Sequence, residues 1–347
     1  MNPPALSVGS VKIGVISMDK TAWNKFLSAR TDRCRVLVVG DVMLDKYYYG
    51  EVNKFSSDAP VPVAHIINRK SLLGGAANIA NNLALLGCHT SIVGFVGADH
   101  NFDTLSRKLT ESGIDQSGLL KIETPTTTKV RIMSGHHQMF RMDFEDISAR
   151  ADEHLEELKS YIHGRLNDSL DAIVIGDYEK GVCTERFCQS VIKDANAHGV
   201  PTIVMPYGQR WIKYAHADYI TPNVAKINKI LLAPIKSTDA DAVERACHYI
   251  MRKFHIKNVL ATRSGDGITF VNEQTVEHIK TKSQEVFDSA GAADTVAAVF
   301  AMAMAGVLNP IDGAYIANLA AGIVVSKAGS YAVTRQDMIN VVNEAAA

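Results

Sequence analysis

Cysteine is scarce in this chain of 347 residues: Cys34, Cys88, Cys183, Cys188 and Cys247 are odd in number and share no paired metal-ligand spacing. That argues against a disulfide framework and a zinc-type cluster, and suits buried or half-buried thiols in a reducing cytosol. Net charge is nearly absent as well. With 36 Lys and Arg against 37 Asp and Glu, the formal charge of -1 provides no electrostatic grip on nucleic acid. Long apolar runs are missing: no stretch approaches the roughly 20 residues of a membrane span, so a soluble, cytoplasmic chain with no membrane partner is expected. Residues 1–30 do not combine the basic flank, long apolar region and small-residue cleavage site of a signal peptide, and read as an extension ahead of the domain. Within it, Thr21 to Ser28 places apolar residues at helical spacing, which predicts a short amphipathic helix laid on the domain or on a partner subunit.

What is present is a hydrophobic fraction of 47%, enough at this length for a large core. The run Arg35-Val36-Leu37-Val38-Val39-Gly40 is β-branched and ends in glycine and then Asp41, as suits a strand buried on both faces. Residues 47–68 differ: they are aromatic and alternating, broken by Pro60 and Pro62, and predict edge strands of a separate small sheet. Helices are predicted over 76–87, 102–112, 151–167, 184–198, 239–254, 294–306 and 310–327. Strands are predicted between them, near 91–96, 117–122, 127–144, 172–175, 202–205, 219–221 and 258–262, with a hairpin over 267–280. Strands alternating with helices predict an α/β fold with a mostly parallel sheet covered on both faces. No linker-like stretch divides it. The expected organisation is an extension over 1–30 and one domain over 31–347, with a strand lid drawn from about 45–68 and 120–144.

Chemistry concentrates at a small-residue turn that opens a helix, Asp288-Ser289-Ala290-Gly291-Ala292-Ala293-Asp294-Thr295. Such a turn presents free backbone N–H groups and the positive end of the helix dipole, an arrangement that binds developing negative charge. An acid at the same place, Asp294, can take the proton of an attacking hydroxyl while Gly291, Ala292 and Ala293 steady a transferred phosphoryl group. An N-capped helix with packed alanines has the same pattern. A second glycine pair, Leu73-Gly74-Gly75-Ala76-Ala77-Asn78, also opens a helix, and Asn78 offers a donor and an acceptor to sugar hydroxyls.

The order of these segments resembles the two signatures of the ribokinase-like (PfkB-type) carbohydrate kinases. Further islands resemble the heptose 7-phosphate kinase branch: Gly40 to Gly50, Ala59 to Val63, Thr128 to Arg131, Arg141 to Glu145, Asp177 to Gly181, Thr221 to Asn223, Thr262 to Ser264 and Asn318 to Gly322. The resemblance implies a ribokinase-like fold and ATP-dependent transfer of phosphate to the anomeric hydroxyl of a heptose 7-phosphate, with magnesium and a monovalent cation as candidate cofactors. It implies that Asp41, Asp45, Gly74, Gly75 and Asn78 hold the sugar, and that Lys129, Arg131 and Arg141 take the acceptor's phosphate. Asp177 and Lys180 fall at a strand end, where open α/β sheets bind ligands. Asn223 and Lys226 are assigned to the nucleotide phosphates, Asn223 also to magnesium, Thr262, Arg263, Gly265 and Gly267 to the nucleotide, and Asn318 and Gly322 to the adenine. It also implies a homodimer through the lid. A weakened homologue that only binds sugar or nucleotide is the alternative; a ribose or adenosine kinase is a third reading, one that has no use for the Lys129, Arg131 and Arg141 cluster.

Four departures from the family pattern stand out. Met205-Pro206-Tyr207 replaces an Asp-Pro-Lys, Lys226 replaces the Glu of Asn-x-x-Glu, Ala293 replaces a glycine, and Gly135-His136 replaces a polar pair in the lid. If position 293 needed positive φ, alanine there would cost about 1 kcal/mol.

Overall fold

The computed structural model describes residues 11–13, 16–18, 20–28, 31–135, 137–148, 150–281, 289–327 and 331–346. Asp288 and His136, both singled out above, lie outside the described residues, as does most of 1–19.

Its frame is a sheet of nine strands in the order Val276–Ile279, Ile268–Val271, Asn258–Thr262, Tyr219–Ile220, Thr202–Met205, Ala172–Gly176, Arg35–Gly40, His89–Gly97, Asp115–Ile122. From Asn258–Thr262 onward every pairing is parallel, and the first two strands form the antiparallel hairpin at one edge. The β-branched runs cause this. Arg35–Gly40 and Ala172–Gly176 are buried along almost their whole length, which only a sheet covered on both faces permits.

Helices Ala76–Leu86, Ala292–Ala305 and Pro310–Val325 pack one face around Ile79, Leu83, Phe300 and Ile316. Helices Asp152–Asn167, Glu185–Ala197 and Ala240–Phe254 pack the other around Leu158, Phe187 and Ile250. The small residues that fill Ala292–Ala305 let it sit close against the sheet: Val296 through Ala305 are all buried. Among the described residues no helix is long and apolar enough to cross a membrane.

A second sheet of four strands, Pro62–Gly75, Val42–Phe55, Thr128–Ser134 and His137–Phe144, forms the lid. It is longer than the sequence predicts on its first hairpin, because both strands run back into the body beyond the tyrosines, as far as Val42 and Gly75. Pro62 starts its strand and Pro60 sits in the connection, so neither removes a ladder hydrogen bond. The single stretch expected over 127–144 is a hairpin turning at Gly135, and residues 120–122, expected in the lid, pair with the main sheet instead. Here strand propensity is legible in sequence and the partner is not.

The amphipathic helix expected over 21–28 is Lys20–Phe26, laid on the domain. Trp23 and Phe26 join the main core, Lys25 donates to the carbonyl of Val307 at 2.6 Å, and Arg335 donates to that of Leu27 at 2.6 Å. A short hairpin, Val11–Ile13 and Ile16–Met18, precedes it.

Candidate active site

Asp294 lies in the first turn of helix Ala292–Ala305, which Gly291 caps in the left-handed conformation at φ 83°. Glycine is needed at 291 for that reason. Ala293 is not among the residues with positive φ, so the alanine in the signature carries no backbone strain. The amide of Ala292 donates to Ser289, and the first intrahelical bond runs from Thr295 to Gly291. The amides of Ala293 and Asp294 therefore have no carbonyl partner within the helix and remain for an anion.

The Asp294 carboxylate is half-buried and doubly hydrogen-bonded. Asn78 Nδ2 donates to its Oδ2 at 2.7 Å and the Tyr178 hydroxyl donates to its Oδ1 at 2.8 Å. Burial pushes its pKa up from 3.8 to about 6. The two hydrogen bonds and the Lys226 ammonium pull it down, and Asp45 adds to the rise. A carboxylate tuned to this range is ionised at neutral pH yet basic enough to accept a proton.

On one side of Asp294 stands the lid. Strand alternation puts Asp45, Tyr47, Lys129, Arg131, Arg141 and Asp143 on one face, in register across three strands. Gly74 is required beside them, since a Cβ there would meet Asp45 Oδ2 at 2.6 Å. Each cation predicted on the acceptor side already holds an acid: Arg131 pairs with Asp45 at 2.6 Å, Lys129 with Asp143 at 3.0 Å and Glu145 at 3.4 Å, Arg141 with Asp143 at 2.9 Å, and Lys180 with Glu145 at 2.8 Å. Four cations against three carboxylates leave a surplus of one positive charge. Asp143 and Glu145 enter the site unannounced by single-residue reasoning, although both lie inside the Arg141 to Glu145 island.

On the other side is a cavity of about 400 Å³ that brings together Asn223, Thr262, Gly265, Gly267, Asn318 and Gly322 with Ala292 and Ala293 of the helix start. Asn223 caps a short helix by accepting the Lys226 amide at 2.8 Å, which leaves its own NH₂ for a ligand. Lys226 is half-buried, and its ammonium makes no hydrogen bond or ion pair among the described residues. It lies 5.7 Å from the centre of the Tyr207 ring, its pKa lowered by burial and raised again by Asp294 and Asp177.

Three predicted residues turn inward instead. Arg263 gives its guanidinium to Ser237 O at 2.7 Å and Thr269 Oγ1 at 3.4 Å and does not line the cavity. Asp177 is fully buried, ion-paired with Lys213 and accepting from Tyr214 at 2.5 Å. Asp41 is 2% exposed and accepts from the amides of Tyr178, Lys180 and Val182, so it clamps the 177–182 loop; burial, then Asp177, raises its pKa to about 6. Asp41, Asp177 and Cys183 approach one another, but the carboxylates are spent on these partners and do not form an open metal site. Among the described residues, the cavity side offers a magnesium ion no unengaged carboxylate, Lys226 standing where the resemblance leads one to expect a Glu, and these residues build no protein-held metal site there.

Tyr178 was missed. It sits inside the Asp177 to Gly181 island, but nothing local marks its hydroxyl as a partner of a residue 116 positions away.

The family model described as pfkB family carbohydrate kinase matches residues 34–337. The chain is 38% identical over 304 residues to the bifunctional protein HldE of Methylobacillus flagellatus, covering 87% of this chain and 62% of that protein. It is 36% identical over 315 residues to the D-beta-D-heptose 7-phosphate kinase of Bordetella bronchiseptica, covering 91% of this chain and 98% of the relative. It thus spans somewhat under two thirds of the bifunctional relatives. Among solved structures, phosphofructokinase-2 of Escherichia coli superposes with a TM-score of 0.73 at 15% identity over 91% of this chain and 99% of that one. Ribokinase of Arabidopsis thaliana superposes with a TM-score of 0.68 at 19% identity, covering 89% and 99%. The fold is ribokinase-like, and the chain belongs to the pfkB family of carbohydrate kinases.

Proposed function

We propose that this chain transfers the γ-phosphoryl group of ATP to the anomeric hydroxyl of a heptose 7-phosphate, giving the 1,7-bisphosphate. The observation that carries the reading is the place of Asp294, a half-buried carboxylate at a helix N-terminus between the glycine-lined cavity and the cationic lid face. Relatives that share over a third of its residues carry the corresponding name.

The acceptor lies against the lid, its existing phosphate drawing Lys129, Arg131 and Arg141 away from their carboxylates by charge-assisted hydrogen bonds. Asp294 takes the proton of the attacking hydroxyl as the new O–P bond forms and the bond from γ-phosphorus to the bridging oxygen breaks, releasing ADP. The amides of Ala293 and Asp294 and the Lys226 ammonium neutralise charge on the moving phosphoryl group. Magnesium supplies further charge neutralisation when it arrives on the nucleotide's own phosphates. The protein works in the cytoplasm as a homodimer joined through the lids.

ADP release measured with ATP, magnesium and a panel of sugars and sugar phosphates tests this. Turnover is expected with heptose 7-phosphate and to fall sharply with unphosphorylated sugars. Equal rates on ribose or adenosine would overturn the acceptor assignment, and saturable thermal stabilisation by ligands without any turnover would mark a binding-only homologue.

A further inference from the structure

We propose that Tyr178 is a positioning residue for phosphoryl transfer: its hydroxyl, donating to Oδ1 of Asp294, holds the base in one orientation and keeps it ready to take the acceptor's proton. This rests on the kinase reading and adds a residue to it.

The geometry is over-determined. The Tyr178 amide donates to Asp41 Oδ2 at 2.8 Å, and the Lys180 and Val182 amides donate to the same carboxylate at 3.0 and 3.2 Å. The buried Asp41 thus fixes the loop from which the tyrosine springs. The ring then rests over Gly176, so near that a Cβ at that glycine would lie 3.4 Å from Tyr178 Cε2. At the far end the hydroxyl meets Asp294 Oδ1 at 2.8 Å. Its alternative acceptor, the Met205 sulfur at 3.9 Å, is weak, so the phenolic proton is committed to Asp294. A carboxylate at position 205 would compete for that proton; this chain has a thioether there.

A carboxylate has about four lone-pair sites, and Asn78 and Tyr178 use one on each oxygen. The remaining pairs stay open to the acceptor hydroxyl. Hydrogen bonds to the charged form stabilise it against burial. The charged groups facing Asp294 are Lys226 from helix Val224–Asn228, which supports ionisation, and Asp45 from the lid, which opposes it. Tyr178 faces Asp294, Asp41 and Asp45, and its own pKa is raised well above the usual tyrosine value, burial being the largest cause. It therefore keeps its proton, and the proton from the acceptor ends on Asp294.

The experiment compares wild type with Tyr178→Phe and with 3-fluorotyrosine installed at 178, using kcat against pH and a ¹³C carboxyl titration of Asp294 in the ligand-free protein. Loss of the donor is expected to move the acid limb of kcat and the Asp294 titration upward by about one pH unit, so that turnover falls about 5-fold at pH 6 and little at pH 8. The more acidic fluorophenol, a stronger donor with the same ring, is expected to move both downward. Opposite shifts cannot come from packing. A uniform loss of rate with an unmoved limb, or a titration that ignores both changes, would overturn the proposal. If wild type phosphorylates no sugar, the kinase reading fails on its own, and the carboxyl titration still decides whether Tyr178 governs Asp294.

Discussion

Asp294 combines two demands that conflict. Its folded pKa of about 6 exceeds the ordinary 3.8, so the folded protein binds that proton more tightly than the unfolded chain does. The sign follows: ionising it in place costs stability that is fully felt above about pH 6 and absent below about pH 4. Asp294→Asn is therefore expected to lower kcat by roughly 10²- to 10⁴-fold, the usual worth of a general base. It should also raise unfolding free energy at pH 8 by about 1 to 3 kcal/mol, the scale of a two-unit shift, a gain that shrinks as pH falls from 6 to 4. Urea unfolding at pH 8 and pH 4.5, beside steady-state kinetics, checks both. A full rate in the variant would remove the proposed role, and a gain independent of pH would mean that buried charge is not its source. The departures near this residue read alike at this scale: Ala293 is unstrained, while Lys226 puts a cation where a carboxylate is usual, beside Tyr207 and facing Asp294.

At the scale of elements, the lid is an ion-pair ladder. Arg131 is held by Asp45 and lies 5.1 Å from the centre of the Tyr47 ring, so it waits in a fixed place. Replacing it by methionine should raise KM for the phosphorylated acceptor about 10- to 100-fold, the worth of one charge-assisted hydrogen bond, with KM for ATP unchanged because the cavity proposed for the nucleotide lies across Asp294. A change in both constants would place Arg131 outside acceptor recognition. The paired acids explain why the cations are not simply a phosphate site on display: a ligand with too little charge gains nothing by displacing them.

For the whole molecule, the lid's other face sets the expectation. Phe140 and Phe144 alternate with Arg141 and Asp143 along one strand and point away from the charged face, exposed to 61% and 51%. Large apolar side chains presented together mark an interaction surface, and a second lid is the occupant proposed above. Light scattering should find a dimer for the wild-type chain and a monomer for Phe140→Asp/Phe144→Asp. A wild-type monomer, or a double variant that stays dimeric, would end that proposal.

The sequence by itself determined whatever depends on neighbours along the chain. β-branched runs specified buried parallel strands, Gly291 and Gly75 specified helix starts, and the acid in the first turn marked Asp294, because conformational preference and helix polarity are local properties. Tertiary structure alone decided partnership. Asn78 and Tyr178 reach Asp294 across 216 and 116 residues, Asp41 and Asp177 turn inward to backbone and lysine, Arg263 turns to the Ser237 carbonyl, and each lid cation finds an acid. Which polar group meets which depends on where distant segments are brought together and how much water is excluded there, and neither is written in the spacing of residues.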